Sequence, residues 1–390
     1  MYCFFKLIVA ITVLVLFSCG EEKSTLTRKK NSVSQTFIAL PETVKHPANN
    51  LPSEEKIALG RMLFFDPILS GNKDVACATC HHPNNGYAEF LDISIGPNAK
   101  GFGSKRRFNT PNTIPFVKRN AQTIINTAFN GINTRGTYTP EDATMFWDER
   151  VKSLENQSLE PLKAFEEMRG HGFAEAVILQ EIVARLNGIP EYVDLFAKAF
   201  KQKDAITIEN LGKAIATFER TLVTNNSRFD QFMRGDKNAM LLSEQDGFEL
   251  FKSVGCANCH NGPMFSDFKP HVIGAPENNK LLQPDTGIEE THGFRTPSLR
   301  NLRFTAPYMH NGSLKTLKQV LEFYEDISDG KERSHLVAKT QFDPFVEELN
   351  LSVKEMSLII SFLNTLNDDS FDKTLPTSVP SGLPVGGDIE

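Results

Sequence analysis

Cys77-Ala78-Thr79-Cys80-His81 recurs, with one residue type changed, as Cys256-Ala257-Asn258-Cys259-His260. In such a stretch two thiols one turn apart add across the vinyl groups of a haem as thioethers, and the adjacent imidazole supplies a proximal iron ligand. A Cys-x-x-Cys pair also suits a redox dithiol or half of a zinc site. The repetition decides between them. A zinc centre drawing on both pairs would make two halves of the chain share one metal and leave both histidines unexplained. Two covalently bound haem c groups, on Cys77, Cys80 and His81 and on Cys256, Cys259 and His260, account for every residue of the pattern.

The other two cysteines, Cys3 and Cys19, lie in the first twenty residues, so no conventional disulfide framework remains. Lys6 precedes the apolar run Leu7 to Phe17, which is shorter than the roughly 20 residues of a spanning helix and fits a secretory signal. Leu16-Phe17-Ser18-Cys19 resembles a bacterial lipobox, although Phe17 is bulkier than the usual residue there. An ordinary cleaved signal is the alternative. The expectation is a signal peptide over 1–19 with Cys19 lipidated, then a polar linker over 20–45. The protein would be exported to the periplasm and tethered to the membrane by its lipid.

At 390 residues two domains are natural, and 40% apolar with 23% charged residues is globular composition. A net charge of −6 argues against a nucleic-acid partner. Ile208, Leu211, Ile215, Phe218 and Leu222 form one helical stripe, and Ile178, Ile182 and Leu186 another that stops at Gly188 and Pro190. Ser352-Val353-Lys354-Glu355 is a capping box ahead of Met356, Ile359, Ile360 and Leu363. Alternating strand patterns are scarce. The fold is expected to be mainly α, as two cytochrome c-like haem domains packed together. They would span 46–236 and 237–368, followed by a flexible Pro- and Gly-rich tail over 369–390. The segment 92–140, rich in Asn, Gly, Thr and Pro, reads as a long functional loop.

Beyond the motifs, the chain resembles the bacterial di-haem cytochrome c peroxidase family, MauG included, from about residue 50 to 367. The matching stretches are Lys56-Ile57-Ala58-Leu59-Gly60-Arg61-Met62-Leu63-Phe64-Phe65-Asp66, Arg119-Asn120, Asn126-Thr127-Ala128-Phe129-Asn130 and Phe146-Trp147-Asp148-Glu149-Arg150. Phe218-Glu219-Arg220-Thr221-Leu222, Thr296-Pro297-Ser298-Leu299-Arg300-Asn301 and Thr305-Ala306-Pro307-Tyr308-Met309-His310-Asn311-Gly312 follow in family order. The resemblance implies a peroxide-binding haem on His81 and an electron-transfer haem on His260. It makes Trp147, otherwise a plain core aromatic, an electron bridge. Glu167 becomes the acid–base group beside the peroxide, where a carboxyl relays the proton that O–O heterolysis needs. Neighbouring Glu166 reads as a solvated charge. Asn120, Thr305 and Pro307 match positions that hold calcium, and oxygen donors suit that hard cation. Hydrogen peroxide, a small cytochrome c or cupredoxin donor and a homodimer are the implied partners.

Two departures bear on the chemistry. Where classical members carry a haem-capping histidine in Ser-Ile-Gly-His, this chain has Ser94-Ile95-Gly96-Pro97, so the His81 haem is expected to be open. His82 is poorly placed to replace that histidine. Where many members place a methionine ligand, this chain has Tyr324, on the inward face of a helix opened by the capping box Thr316-Leu317-Lys318-Gln319. Periodicity alone favours a core tyrosine there, whereas the MauG resemblance favours an iron ligand. Met309 is the alternative ligand, and His271, His292 and His310 read as loop or supporting histidines. The function expected is an exported peroxidase reducing hydrogen peroxide to water. The rivals are a MauG-like oxidase that stores oxidising equivalents across both haems and a non-enzymatic electron carrier.

Overall fold

The computed structural model describes residues 36–389, and its helices form where apolar residues recur at helical spacing. The Ser53 hydroxyl accepts the Lys56 N–H to open the helix Glu54–Phe65, with Glu54 and Glu55 in the electropositive first turn. Thr207 caps Ile208–Glu219 in the same way. These two helices lie against each other, and Gly60 permits the approach: a Cβ there would stand 2.0 Å from the Ala214 carbonyl oxygen. The helices Glu175–Asn187 and Pro190–Phe200 complete this first core, burying Ile178, Ile182, Leu186, Tyr192 and Phe196.

The second half repeats the device with other residues. Leu242–Ser253 packs on Met356–Asn364, and a Cβ on Gly247 would meet the Leu358 carbonyl oxygen at 2.2 Å. This core is aromatic. Phe229 meets Phe265 at 5.0 Å and Phe248 meets Phe362 at 4.9 Å between ring centroids, with Phe251 among them. Such pairs add about 0.5–1.5 kcal/mol each beyond the area they bury. Leu317–Ser328, opened by the Thr316 and Gln319 capping box, places Leu321 on this core.

The mainly α expectation holds. Among the described residues, extended structure is limited to short bridges and three two-stranded antiparallel ribbons: Ala99–Lys100 with Arg107–Phe108, Thr144–Met145 with Val151–Lys152, and Pro270–His271 with Phe294–Arg295. No helix among the described residues is long and apolar enough to cross a membrane. The signal peptide, Cys19 and the proposed lipid anchor lie outside the described residues.

The helix Arg228–Met233 packs in the second core, where Phe229 is fully buried and Asp230 accepts two Arg300 N–H bonds at 2.8 and 2.9 Å. Two expectations about the ends of the chain change. The linker over 20–45 is not free at its C-terminal end. Phe37 and Leu40 are buried, and the Leu40 N–H donates to Asp230. Nor is the expected tail over 369–390 loose across its described part, 369–389. Phe371 and Val379 are buried beside the first motif, and the Ser381 hydroxyl donates to Asp66 at 2.6 Å. Backbone and hydroxyl bonds to distant residues order this tail, and such bonds leave no apolar period in the sequence.

Candidate functional site

Each Cys-x-x-Cys-His stretch closes as one tight turn. Cys77–Cys80 is a single helical turn, with the His81 N–H donating to the Cys77 carbonyl at 2.9 Å. Cys256–Asn258 is a 3₁₀ turn, entered by Gly255 in the left-handed region, and the His260 N–H reaches the Cys256 carbonyl at 3.0 Å. The imidazoles are held alike. Nδ1 of His81 lies 3.1 Å from the Tyr87 carbonyl, and Nδ1 of His260 lies 2.9 Å from the Phe265 carbonyl. A carbonyl on Nδ1 fixes the tautomer that leaves the Nε2 lone pair for a metal. Burial holds both imidazoles below their ordinary pKa, hence neutral, as a ligand must be.

Burial also pushes the Cys77 and Cys256 thiols up to about 12. That is opposite to the lowered thiol of a redox dithiol. The four thiols are free of disulfides, and no cluster of three metal-ligating side chains of zinc type occurs among the described residues.

Both motifs open on one cavity of about 1180 Å³, lined by Cys77, Cys80, His81, Cys256, Cys259 and His260. A site for a single small ligand occupies roughly 300–1,000 Å³. The free thiols, the imidazoles with Nε2 available and the volume fit two covalently attached haems.

Trp147 and Glu167 line the same cavity. Trp147 sits in the turn between the strands Thr144–Met145 and Val151–Lys152. Its indole N–H donates to the Asn120 carbonyl at 3.1 Å, and its own carbonyl accepts the Arg295 N–H at 2.8 Å. Glu167 lies in a π-turn, Phe165–Arg169, a geometry that recurs at functional sites. Burial pushes its carboxyl up to about 7, with Arg150 and Arg119 opposing the rise and Glu166 adding to it. Gly96 abuts this turn, since a Cβ there would stand 2.1 Å from the Glu166 carbonyl oxygen. Glu166 is partly exposed and also lines the cavity.

Tyr324 and Met309 both reach the cavity wall. The Tyr324 hydroxyl has no hydrogen-bond partner among the described residues, and burial raises its pKa, with Cys259 and Cys256 adding to the rise. His271 cannot serve as an iron ligand here, because both its nitrogens are taken: Nδ1 by Asp343 at 2.7 Å and Nε2 by Asp267 at 3.0 Å. His310 stacks on Phe294 with 3.7 Å between centroids, and burial lowers it to about 4. His292 lines the cavity from the loop ahead of Phe294. His82 is buried against Phe102 with Nδ1 accepting the Asn84 N–H, and it is no part of the cavity wall. Asn120, Thr305 and Pro307 line the cavity together. The Asn120 Nδ2 donates to the Leu91 and Asp92 carbonyls, which leaves Oδ1 as the side chain's free acceptor.

Glu219 and Arg295 carry weight that the sequence reading did not give them. Glu219 lines the cavity, burial pushes it up to about 8, and its Oε2 has no hydrogen-bond partner among the described residues. Arg295 is buried, which lowers it to about 10, and it holds the Trp147 turn through the Phe146 carbonyl at 2.8 Å. No spacing marks either residue.

Residues 54–238 match the di-haem cytochrome c peroxidase family. The methylamine utilization protein MauG of Methylorubrum extorquens is 35% identical over 342 residues, 86% of this chain and 85% of that relative. The chain belongs to the di-haem cytochrome c peroxidase family. The cytochrome c551 peroxidase of Nitrosomonas europaea is 32% identical over 331 residues, covering 83% of each chain. The crystal structure of a MauG-like protein associated with microbial copper homeostasis superposes with a TM-score of 0.68 at 27% identity, over 85% of this chain and 95% of that one. The diheme peroxidase BthA from Burkholderia thailandensis shares the fold at a TM-score of 0.62 and 21% identity, over 89% of this chain and 98% of that one. Membership in this di-haem family implies two haem c cofactors, for which the cavity and its paired motifs have the residues and the room.

Proposed function

We propose that this di-haem protein is an exported peroxidase that reduces hydrogen peroxide to water, taking electrons from a small periplasmic cytochrome c or cupredoxin. The observation that carries this reading is that Glu167, Trp147 and both Cys-x-x-Cys-His motifs share one cavity. Bound haem supplies the iron centres that exchange electrons with peroxide and donor. The chain supplies the rest. Its four thiols would attach the two haems, one to each cytochrome c-like domain, and His81 and His260 present Nε2. Glu167, with a pKa near neutrality, moves a proton between the two peroxide oxygens. Trp147 is the aromatic bridge between the electron-entry site at His260 and the peroxide site at His81. Asn120, Thr305 and Pro307 hold calcium, and lipidation of Cys19 tethers the protein in the periplasm, where two copies form a dimer.

Glu167→Gln tests the assignment. It keeps two covalent haems by mass spectrometry and lowers peroxide turnover on the order of 10²–10⁴-fold; unchanged turnover removes Glu167 from the mechanism.

Tyr324 at the cavity wall and Pro97 in place of a capping histidine favour a second reading, a MauG-like oxidase that withdraws electrons from a protein or organic substrate. Poor oxidation of reduced cytochrome c, with a long-lived oxidised state after one equivalent of peroxide, would select it. Failure of the oxidised protein to bind any small ligand would leave an electron carrier.

A further inference from the structure

The chain after the last helix has no part in the reaction just described, yet it is bonded along its length to the first motif. The Phe371 ring packs on Tyr87 at 6.1 Å, and the Asp372 carbonyl accepts the Tyr87 hydroxyl at 2.9 Å. Gly386 donates its N–H to the Phe65 carbonyl, and its own carbonyl accepts the Thr79 hydroxyl at 2.7 Å. Gly387 pairs with Val75. The Asp388 carbonyl accepts an Arg106 N–H at 2.9 Å.

Two of these contacts lead to His81. Thr79 lies inside the haem-attachment turn, and its Oγ1 also accepts the Ala76 N–H at 2.8 Å, so Gly386 fixes the hydroxyl that closes the turn. Tyr87 supplies the carbonyl that holds His81 Nδ1. A third contact leads to Glu167. Arg106 is fully buried and forms no salt bridge among the described residues; its guanidinium donates to the carbonyls of Ile95, Gly96, Gly101 and Asp388. Gly96 in turn lies against the backbone of Glu166 and Glu167.

We propose that residues 371–388 form a strap that positions the first haem site, setting His81 through Thr79 and Tyr87 and Glu167 through Arg106 and Gly96. The inference rests on reading His81 as an iron ligand and Glu167 as the acid–base group. Asn258 stands at the second motif where Thr79 stands at the first, and its Nδ2 donates to the Glu348 carboxylate at 2.8 Å, away from residues 371–388. Partners that orient a metal ligand are worth roughly 10–100-fold in activity or metal affinity. The His260 haem is therefore a control within the same molecule.

The test uses Thr79→Val, Thr79→Ser and Tyr87→Phe in the full-length, haem-loaded protein, read by EPR, redox titration and peroxide turnover. Thr79→Val and Tyr87→Phe each remove one hydroxyl bond to the strap without removing a haem ligand. The expected result is a shift in the signal and midpoint potential of the His81 haem alone, turnover lowered about 10-fold in Thr79→Val, and parent behaviour in Thr79→Ser. Because Thr79→Val also removes the acceptor of the Ala76 N–H, the strap is supported only where Tyr87→Phe shifts the His81 haem as well. An unchanged His81 haem in Tyr87→Phe, or both haems moving together, overturns it. The underlying reading fails separately: Glu167→Gln would then keep full turnover even where Thr79→Val shifts the His81 signal.

Discussion

His271 stands between Asp267 and Asp343 beside the second motif, and its protonation decides what that corner can do. Burial alone would lower its pKa, but its hydrogen bonds to Asp267, Cys259 and Asp343 overcome this and push it up to about 11. An imidazole with a raised folded-state pKa adds stability that is complete below its ordinary value near 6.5 and is lost as pH rises toward 11. His271→Ala is expected to cost about 3–5 kcal/mol at pH 6, because it strands two partly buried carboxylates. The deficit should shrink as pH is raised, and thermal melts of parent and variant across pH 6 to 10 check both magnitude and slope. Glu167 works the opposite way. Its carboxyl is shifted up to about 7, so a relay that begins from the carboxylate gains rate as pH rises through that value. That limb of the pH–rate profile should vanish in Glu167→Gln. The sequence marked His271 only as a supporting histidine, because no pattern records that Asp343, distant in the chain, lies against it.

Among the elements, the two crossed helix pairs do the same work with different side chains. Gly60 on Ala214 and Gly247 on Leu358 bring helix backbones into contact, where any Cβ would collide with a carbonyl oxygen. Gly247→Val is expected to destabilise the protein by roughly 3 kcal/mol through overpacking. Unfolding in urea, followed by tryptophan fluorescence and by haem absorbance, checks it; a midpoint equal to the parent's would mean that the helices can slide apart. The helices themselves were legible. Thr207, Thr316 and Ser352 each precede an apolar stripe, and the cap of Thr316 forms as its sequence implies. The Phe165–Arg169 π-turn was not, since its wider bonds, Arg169 N–H to the Ala164 carbonyl and Gly170 N–H to the Phe165 carbonyl, are backbone bonds that no side-chain pattern marks.

Across the whole molecule, one cavity is lined by both motifs. Asn120 comes from the long loop and Thr305 and Pro307 from the second half, and a cation held by all three would tie the halves at Trp147, whose indole N–H rests on the Asn120 carbonyl. Removing calcium with a chelator is expected to lower peroxide turnover several-fold and to alter the EPR signal of the His81 haem, with recovery on adding calcium but not magnesium, which demands tighter octahedral geometry. Turnover indifferent to chelation would remove calcium from this site. What the sequence determined by itself is the chemistry that depends on near neighbours: two thiols and an imidazole within one turn, a capping hydroxyl three residues ahead of the N–H it accepts, an apolar stripe of helical period. Only the tertiary structure decided that residues 371–388 are bound beside the first motif, and which carbonyls hold His81 and His260. Those contacts run through backbone N–H and C=O groups that every residue carries, so they leave no mark on the order of side chains.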